Sequence, residues 1–407
     1  MSRALEVLPL ASGPDSVGRI YNGCMESVRS LFLLDPSIIF LNHGSFGATP
    51  RPVFERYQEL QIKLEKQPVL FLGRKLDGLL WESRTVLGEY LNARAEDLVY
   101  IPNATHGVNI LAHSLDLAEG DEVLTTDHEY GACDFTWKYV CNMRGARYIR
   151  HPIPLPVSGK EEIVERLWEA VTSRTRALYL SHITSPTAMR LPVEVLCKRA
   201  REAGILTIVD AAHSPGQIPV DLQALGADLV FGNCHKWMLS PKGAGFLYSR
   251  SEVQSLIEPL IVSWGMEATP ANSTGSRFID LLQWTGTRDP AAFLAVPAAI
   301  QFMQEHDWPE VRRGCHELLR YAIGRICEMT GQEPLYPLDS DLYHQMGIAP
   351  LPPSNLEEVK RRLYDEYHIE VPLIQWGDRQ FVRISIQAYN TADDVAVLLE
   401  GLKAVIG

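Results

Sequence analysis

A lysine and an aspartate, each just after a short apolar run, are the residues of this chain best suited to chemistry: Lys236 in LVFGNCHKWMLSPKGAG and Asp210 in ILTIVDAAHSPG. An amine can hold an aldehyde as a Schiff base, and a carboxylate can keep a pyridinium nitrogen protonated; pyridoxal phosphate asks both of a protein. An aspartate closing a run as apolar as ILTIV is costly to bury without a cationic partner, and the pyridinium nitrogen is one. The competing reading is a helix N-cap over AAHS. Lys236 lies between His235 and Trp237, where burial would lower its pKa toward imine formation. Lys242 is the rival amine.

Such a cofactor also needs a phosphate cradle, a ring-stacking group and an anchor for its substrate. Asn103-Ala104-Thr105-His106-Gly107 opens a predicted helix directly after the strand LVYIP and offers N–H groups and a hydroxyl; His235 adds an imidazole. A capped helix without a ligand is the plain alternative. Tyr130 in TDHEYGA is placed to stack on the ring, with His128 competing. His213 in DAAH packs near the ring or is a satisfied core histidine. Arg383, inside the strand-like FVRISIQ, matches a substrate carboxylate bidentately, or else forms a structural salt bridge. A metal-hydrolase reading of DHEY, DAAH and CHK fails for want of a ligand spacing such as HExxH.

The elements that must position these groups alternate. From about residue 79 to 250 amphipathic helices (LLWESRTVLGEYL, EEIVERLWEAV, VEVLCKRAREAG) separate short β-rich runs (LVYIP, EVLTT, ALYLSHI, ILTIVD, LVFGN, GFLYS). That pattern predicts an α/β sheet, mainly parallel and covered on both faces, whose functional groups gather at the carboxyl ends of its strands. Beyond about 290, helices, a Pro-rich stretch around 336–354, two short strands (IEVPLIQW, FVRISIQ) and a last helix predict a smaller α+β domain. The expected division is a segment 1–40 packing on the small domain, a large domain 41–290 and a small domain 291–407. A helix is predicted over MESVRSLFLL and a Gly-rich turn after IIFLN.

Composition narrows the partners. The 407 residues carry a formal charge of −12 with no basic run, which argues against a nucleic-acid surface. No apolar run reaches the ~18–20 residues that span a bilayer. Seven scattered cysteines without a CxxC pair, and a start without signal-peptide features, predict a reduced, cytoplasmic protein without structural zinc.

Taken together, LNHGSFGATPRPVFE, TDHEYGA, SHITSPTAMRLPV, the block from VDAAHSPG to GAGFL, WTGTRDPAAFLAVPAAI and FVRISIQAYNT resemble the class V aminotransferase family, pyridoxal phosphate enzymes of fold type I. More narrowly the chain is similar to the isopenicillin N epimerase branch. The resemblance implies a large domain with a mixed, mainly parallel sheet, a small C-terminal α+β domain and a homodimer with active sites at its interface. It implies the Schiff base on Lys236, the pyridinium contact on Asp210, ring stacking by Tyr130, and His213 and Ser185 near the phenolic oxygen. Ala104, Thr105, Asn233 and His235 would hold the phosphate, joined by Thr287 of the neighbouring subunit. Arg383 would take the carboxylate of a small amino-acid or peptide substrate, with Asn42 and His43 at its border. Cysteine desulfurases of the family present a catalytic cysteine shortly before the arginine strand; IEVPLIQWGDRQFVR has none. The expected reaction is Cα-proton abstraction leading to epimerisation, with Tyr130, His128 or a water as second acid. C–S β-elimination is the alternative, and transamination or a noncatalytic binding role are weaker ones.

Overall fold

Runs such as LTIVD and LVFGN are apolar on both faces, and in the computed structural model, which describes residues 28–267 and 273–406, they lie buried in the middle of a sheet. Twelve strands form among the described residues: β1 (Ile39–Phe40), β2 (Leu98–Ile101), β3 (Glu122–Thr126), β4 (Arg147–His151), β5 (Thr175–Ser181), β6 (Leu206–Asp210), β7 (Leu229–Asn233), β8 (Gly245–Ser249), β9 (Met346–Leu351), β10 (Ile369–Glu370), β11 (Leu373–Trp376) and β12 (Arg379–Ser385). Seven of them form one sheet in the order β2-β8-β7-β6-β5-β3-β4, in which β8 alone runs against the rest. Helices cover this sheet, and one shows why. Val193–Glu202 buries Val193, Leu196, Cys197 and Ala200, a single face at helical spacing. Burying each valine or leucine contributes roughly 1.5–3 kcal/mol.

A second sheet, β11-β12-β9, is antiparallel and carries Arg383 on its central strand. The helix Trp308–Thr330 packs on β9, and Leu356–Tyr367 packs against Ala392–Ile406. Strand β9 falls inside the stretch expected to be an irregular Pro-rich segment. Pro350 is tolerated there because β9 is an edge strand, where a missing N–H need not break a ladder. The run IEVPLIQW, expected as one strand, divides at Val371-Pro372 into β10 and β11. The helices Ala291–Leu294 and Val296–Glu305 pack on Arg51–Lys66 and Leu76–Leu91, so the change from one sheet's helices to the other's comes after Glu305 rather than at 290.

Of the expected N-terminal segment, residues 1–27 lie outside the described residues. Residues 28–40 meet several C-terminal elements: Arg29 pairs with Asp394 of the last helix at 3.0 Å, Phe32 packs edge-on to Tyr389, and β1 lies parallel to β10. Within MESVRSLFLL the described part is helical at Val28 and Arg29 and turns at Ser30 and Leu31 before Phe32 bridges to Pro50. The Gly-rich turn after IIFLN is a short helix, His43–Phe46. No helix among the described residues is long and apolar enough to cross a membrane.

Two glycines let other parts of the chain close on the segment that carries Lys236. Gly47, at φ +71°, sits where a Cβ would meet His235 O at 2.1 Å and Lys236 Cα at 2.9 Å; Gly216, at φ +91°, sits where one would meet Trp237 O at 2.1 Å. Side chains disfavour both the backbone conformation and the contact. Gly216→Ala is therefore expected to cost about 3 kcal/mol, read as a lower denaturant midpoint with an unchanged slope.

Candidate active site

The carboxyl ends of neighbouring parallel strands converge because their register is fixed: Ser181 of β5 lies opposite Asp210 of β6, and Asp210 opposite Phe231 of β7. Asp210 is 4% exposed. Its Oδ1 accepts from Ala212 N at 2.7 Å, while Oδ2 has only the distant Tyr179 hydroxyl at 3.4 Å and Cys133 Sγ at 3.6 Å. No ion pair reaches it among the described residues. Burial raises its pKa, against the Ala212 N–H and the charge of Lys236. A cation brought to Oδ2 would relieve that burial cost.

Lys236 Nζ stands 3.2 Å from His213 Nε2, and His213 Nδ1 accepts from Trp237 Nε1 at 3.2 Å. An indole N–H can only donate, so the proton of neutral His213 must sit on Nε2, facing the lysine. Burial and the neighbouring Lys236 hold His213 well below the usual histidine range, which keeps it neutral. With Nδ1 engaged and Nε2 protonated, His213 is a donor toward the site and has no lone pair to take a proton. Lys236 itself is pushed down to about 8 by burial, opposed by Asp210 and assisted by Arg383. The rival Lys242 turns away and donates to Gly47 O at 3.0 Å.

The phosphate-side residues need one correction. Ala104 N is already bonded to Asn233 Oδ1 at 2.8 Å, and His106 N to Asn103 Oδ1 at 2.9 Å. These two amides therefore hold the turn together, and the Ala104 N–H is not open to a ligand. Thr105, at the first turn of the helix Ala104–Ser114, is exposed. His235 is anchored through Nδ1 to Ala244 O at 2.9 Å.

Arg383 reaches across from the second sheet. Its Nη1 donates to Ser185 O at 2.6 Å and lies 3.3 Å from Ser185 Oγ, and its Nη2 donates to Ser45 Oγ at 3.1 Å. The guanidinium is 6% exposed, its Nε has no partner, and no carboxylate among the described residues pairs with it. Desolvation holds it down to about 10. A buried cation surrounded by neutral oxygens is prepared for an anion.

Other expectations fare differently. Tyr130, 47% exposed at the start of the helix Gly131–Arg144, is open to a ligand and lies within the field of Arg383. His128 is enclosed, with Nδ1 on Thr187 Oγ1 at 2.8 Å, Nε2 on Ile153 O at 2.7 Å and Trp376 packed on its ring. Both nitrogens are occupied, so it is excluded as a stacking residue or second acid. His43 is fully buried and bonded to Tyr389 OH at 3.0 Å and Lys236 O at 3.1 Å; it braces the lysine from behind instead of bordering a substrate. Asn42 bonds Glu370 Oε1 at 2.9 Å. Thr287 lies exposed beside a cleft of about 530 Å³ lined by Val69, Leu72, Trp264 and Trp284, away from the groups around Lys236.

Sequence reasoning missed Glu129. Its carboxyl, pushed up to about 7 by burial, accepts from Thr126 Oγ1 (2.7 Å), Ser181 N (2.9 Å) and Ser181 Oγ (2.5 Å), and so ties the Tyr130 loop to β5. The signal was available: a glutamate between two aromatic candidates, directly after a buried strand.

The donor set fits pyridoxal phosphate. A lysine with a depressed pKa, a buried carboxylate outside any ion pair, an imidazole donor and an exposed threonine at a helix start supply what aldehyde, ring nitrogen, phenolic oxygen and phosphate need. The profile of the family described as aminotransferase class-V matches residues 39–398. The chain belongs to the class-V aminotransferase family. An isopenicillin N epimerase from Amycolatopsis lactamdurans is 36% identical to this class-V chain over 389 residues, covering 93% of it and 97% of that protein. A probable chloroplastic L-cysteine desulfhydrase from Arabidopsis thaliana is 26% identical, covering 91% and 84%. The fold is also that of a cysteine desulfurase from Thermococcus onnurineus NA1, with a TM-score of 0.79 at 21% identity, covering 94% of this chain and 98% of that one.

The lysine's environment sets a pH dependence. A neutral amine is the nucleophile, and Lys236 sits at about 8 instead of 10.5, so the reactive fraction grows as pH rises through about 8. Recombination of the apo-protein with pyridoxal phosphate, followed by visible absorbance, is expected to accelerate with a midpoint near pH 8. A midpoint near 10.5 would mean that the amine is solvated.

Proposed function

We propose that this chain is a pyridoxal phosphate-dependent enzyme that removes the Cα proton of an amino-acid substrate and returns it to the opposite face, an epimerase similar to isopenicillin N epimerases. The observation that carries the reading is the convergence of Lys236, Asp210, His213 and Arg383. It is supported by the 36% identical epimerase.

Bound pyridoxal phosphate supplies a sink for the electron pair left when the Cα–H bond breaks. Arg383 binds the substrate carboxylate and fixes which Cα substituent faces Lys236. Lys236 takes the proton on Nζ, for which a pKa of about 8 suits work near neutral pH. Asp210 would keep the ring nitrogen protonated, and its burial keeps water from the carboxylate. His213, a donor at Nε2, would hold the phenolic oxygen together with Ser185. Thr105, with Asn233 and His235, would hold the phosphate. Tyr130, exposed at the start of Gly131–Arg144, would stack on the bound ring and is the group assigned to return the proton on the side opposite Lys236.

A second reading is C–S β-elimination, favoured by the similarity to the plant desulfhydrase. It shares the first proton transfer and differs in what leaves Cβ. Persulfide formation is disfavoured, since neither β11, β12 nor the turn between them contains a cysteine.

The exposed apolar side chains beside Thr287, notably Val69 and Trp264, support a homodimer in which Thr287 serves the partner's phosphate site. The six cysteines among the described residues are all buried and unpaired, which supports a reducing, cytoplasmic setting.

The holoenzyme incubated in heavy water with amino acids and S-substituted cysteines separates the reactions. Epimerisation is expected to give solvent deuterium at Cα of inverted product, and elimination to give pyruvate. Deuterium with full retention of configuration on every substrate, and no pyruvate, would overturn both readings.

A further inference from the structure

Arg383 has no carboxylate against it, so neutral oxygens set its geometry, and one of them ends a polar relay. Ser45 Oγ, 3.1 Å from Arg383 Nη2, is 2.5 Å from Asn42 Oδ1, and Asn42 Nδ2 is 2.9 Å from Glu370 Oε1. We propose that Ser45 and Glu370 are positioning residues that orient Arg383 for the substrate carboxylate, an inference that rests on the carboxylate reading of Arg383.

The direction of each hydrogen bond follows from the far end. A carboxylate accepts and does not donate, so Glu370 must face the amide nitrogen of Asn42. That turns Asn42 Oδ1 toward Ser45, whose hydroxyl then spends its only proton on Asn42 and presents a lone pair to Arg383. Without Glu370 the amide is free to turn, and Ser45 can point its proton at the guanidinium.

The backbone around the relay is fixed independently. Phe40 of β1 pairs with Glu370 of β10, Asn42 bridges to Ser385 of β12, and Gly44 N donates to Ser385 Oγ at 3.2 Å. Ser385 is two residues along β12 from Arg383, so both ends of the relay belong to one closed frame. On the other side, Ser185 O holds Nη1 at 2.6 Å. The guanidinium is gripped from two elements, and its plane is set before a substrate arrives.

The test titrates the cofactor-loaded full-length protein with glycine, which has a carboxylate and no side chain, and with ethylamine, which has neither, reading visible absorbance and thermal midpoint. Ser45→Ala is expected to weaken glycine about tenfold and leave ethylamine within about twofold. Glu370→Gln keeps an acceptor and should retain glycine affinity. Glu370→Lys can only donate, reverses the relay, and should weaken glycine although it adds positive charge. Tighter glycine binding in Glu370→Lys would replace the relay with bulk electrostatics. Equal loss of both ligands in Ser45→Ala would reduce it to a folding role. Wild-type protein that binds glycine while every variant matches it overturns the relay alone. Wild-type protein that fails to bind glycine overturns the reading of Arg383 beneath it.

Discussion

The site depends on confining one amine. Lys236 Nζ is held where water is scarce, with an imidazole donor 3.2 Å away and a buried carboxylate near enough to oppose the loss of its charge. Desolvation alone would push the amine further down, and Asp210 alone would keep it protonated. The balance at about 8 makes it both a nucleophile and a proton carrier at neutral pH. Much of the surrounding structure maintains that confinement. Trp237 fixes the imidazole tautomer, His43 braces the backbone carbonyl of Lys236, and the glycines at 47 and 216 admit neighbouring backbone to van der Waals contact.

A second constraint is that the chemistry is assembled from two sheets. Asp210 and Asn233 end strands of the large parallel sheet, while Arg383 comes from the middle of a small antiparallel one. The Arg383–Ser185 contacts are among the polar links that join them at the site. A guanidinium offered from a separate element can select the carboxylate of a substrate without disturbing the groups that hold the cofactor. It also makes its own positioning a separate structural problem, solved in part by β1, β10 and the short helix between them.

Much of this was legible in the sequence, and unevenly. Strand ends are local features, so the apolar runs before Asp210 and Lys236 pointed correctly to two residues at the carboxyl ends of neighbouring central strands of one sheet. The alternation of helix and strand yielded the parallel architecture for the same reason. What spacing along the chain does not encode is which hydrogen bonds are already taken. Ala104 reads as a phosphate ligand until its N–H is found on Asn233 Oδ1, and His43 and His128 read as facing the site until all four ring nitrogens are found occupied. Strand β9 was missed because Pro350 argues against a strand unless the strand is known to be an edge, and edge position is a property of the whole sheet. The partners Ser45 and Glu370 stand far apart in the chain and carry no motif.

The central claim is that one amine, Lys236, holds the cofactor, and the most direct measurement is chemical. The cofactor-loaded protein would be reduced with borohydride, digested, and its peptides mapped by mass spectrometry. A single pyridoxyl adduct on Lys236 is expected, in the peptide that also contains His235 and Trp237. An adduct on Lys242, or labelling spread over surface lysines, would contradict it.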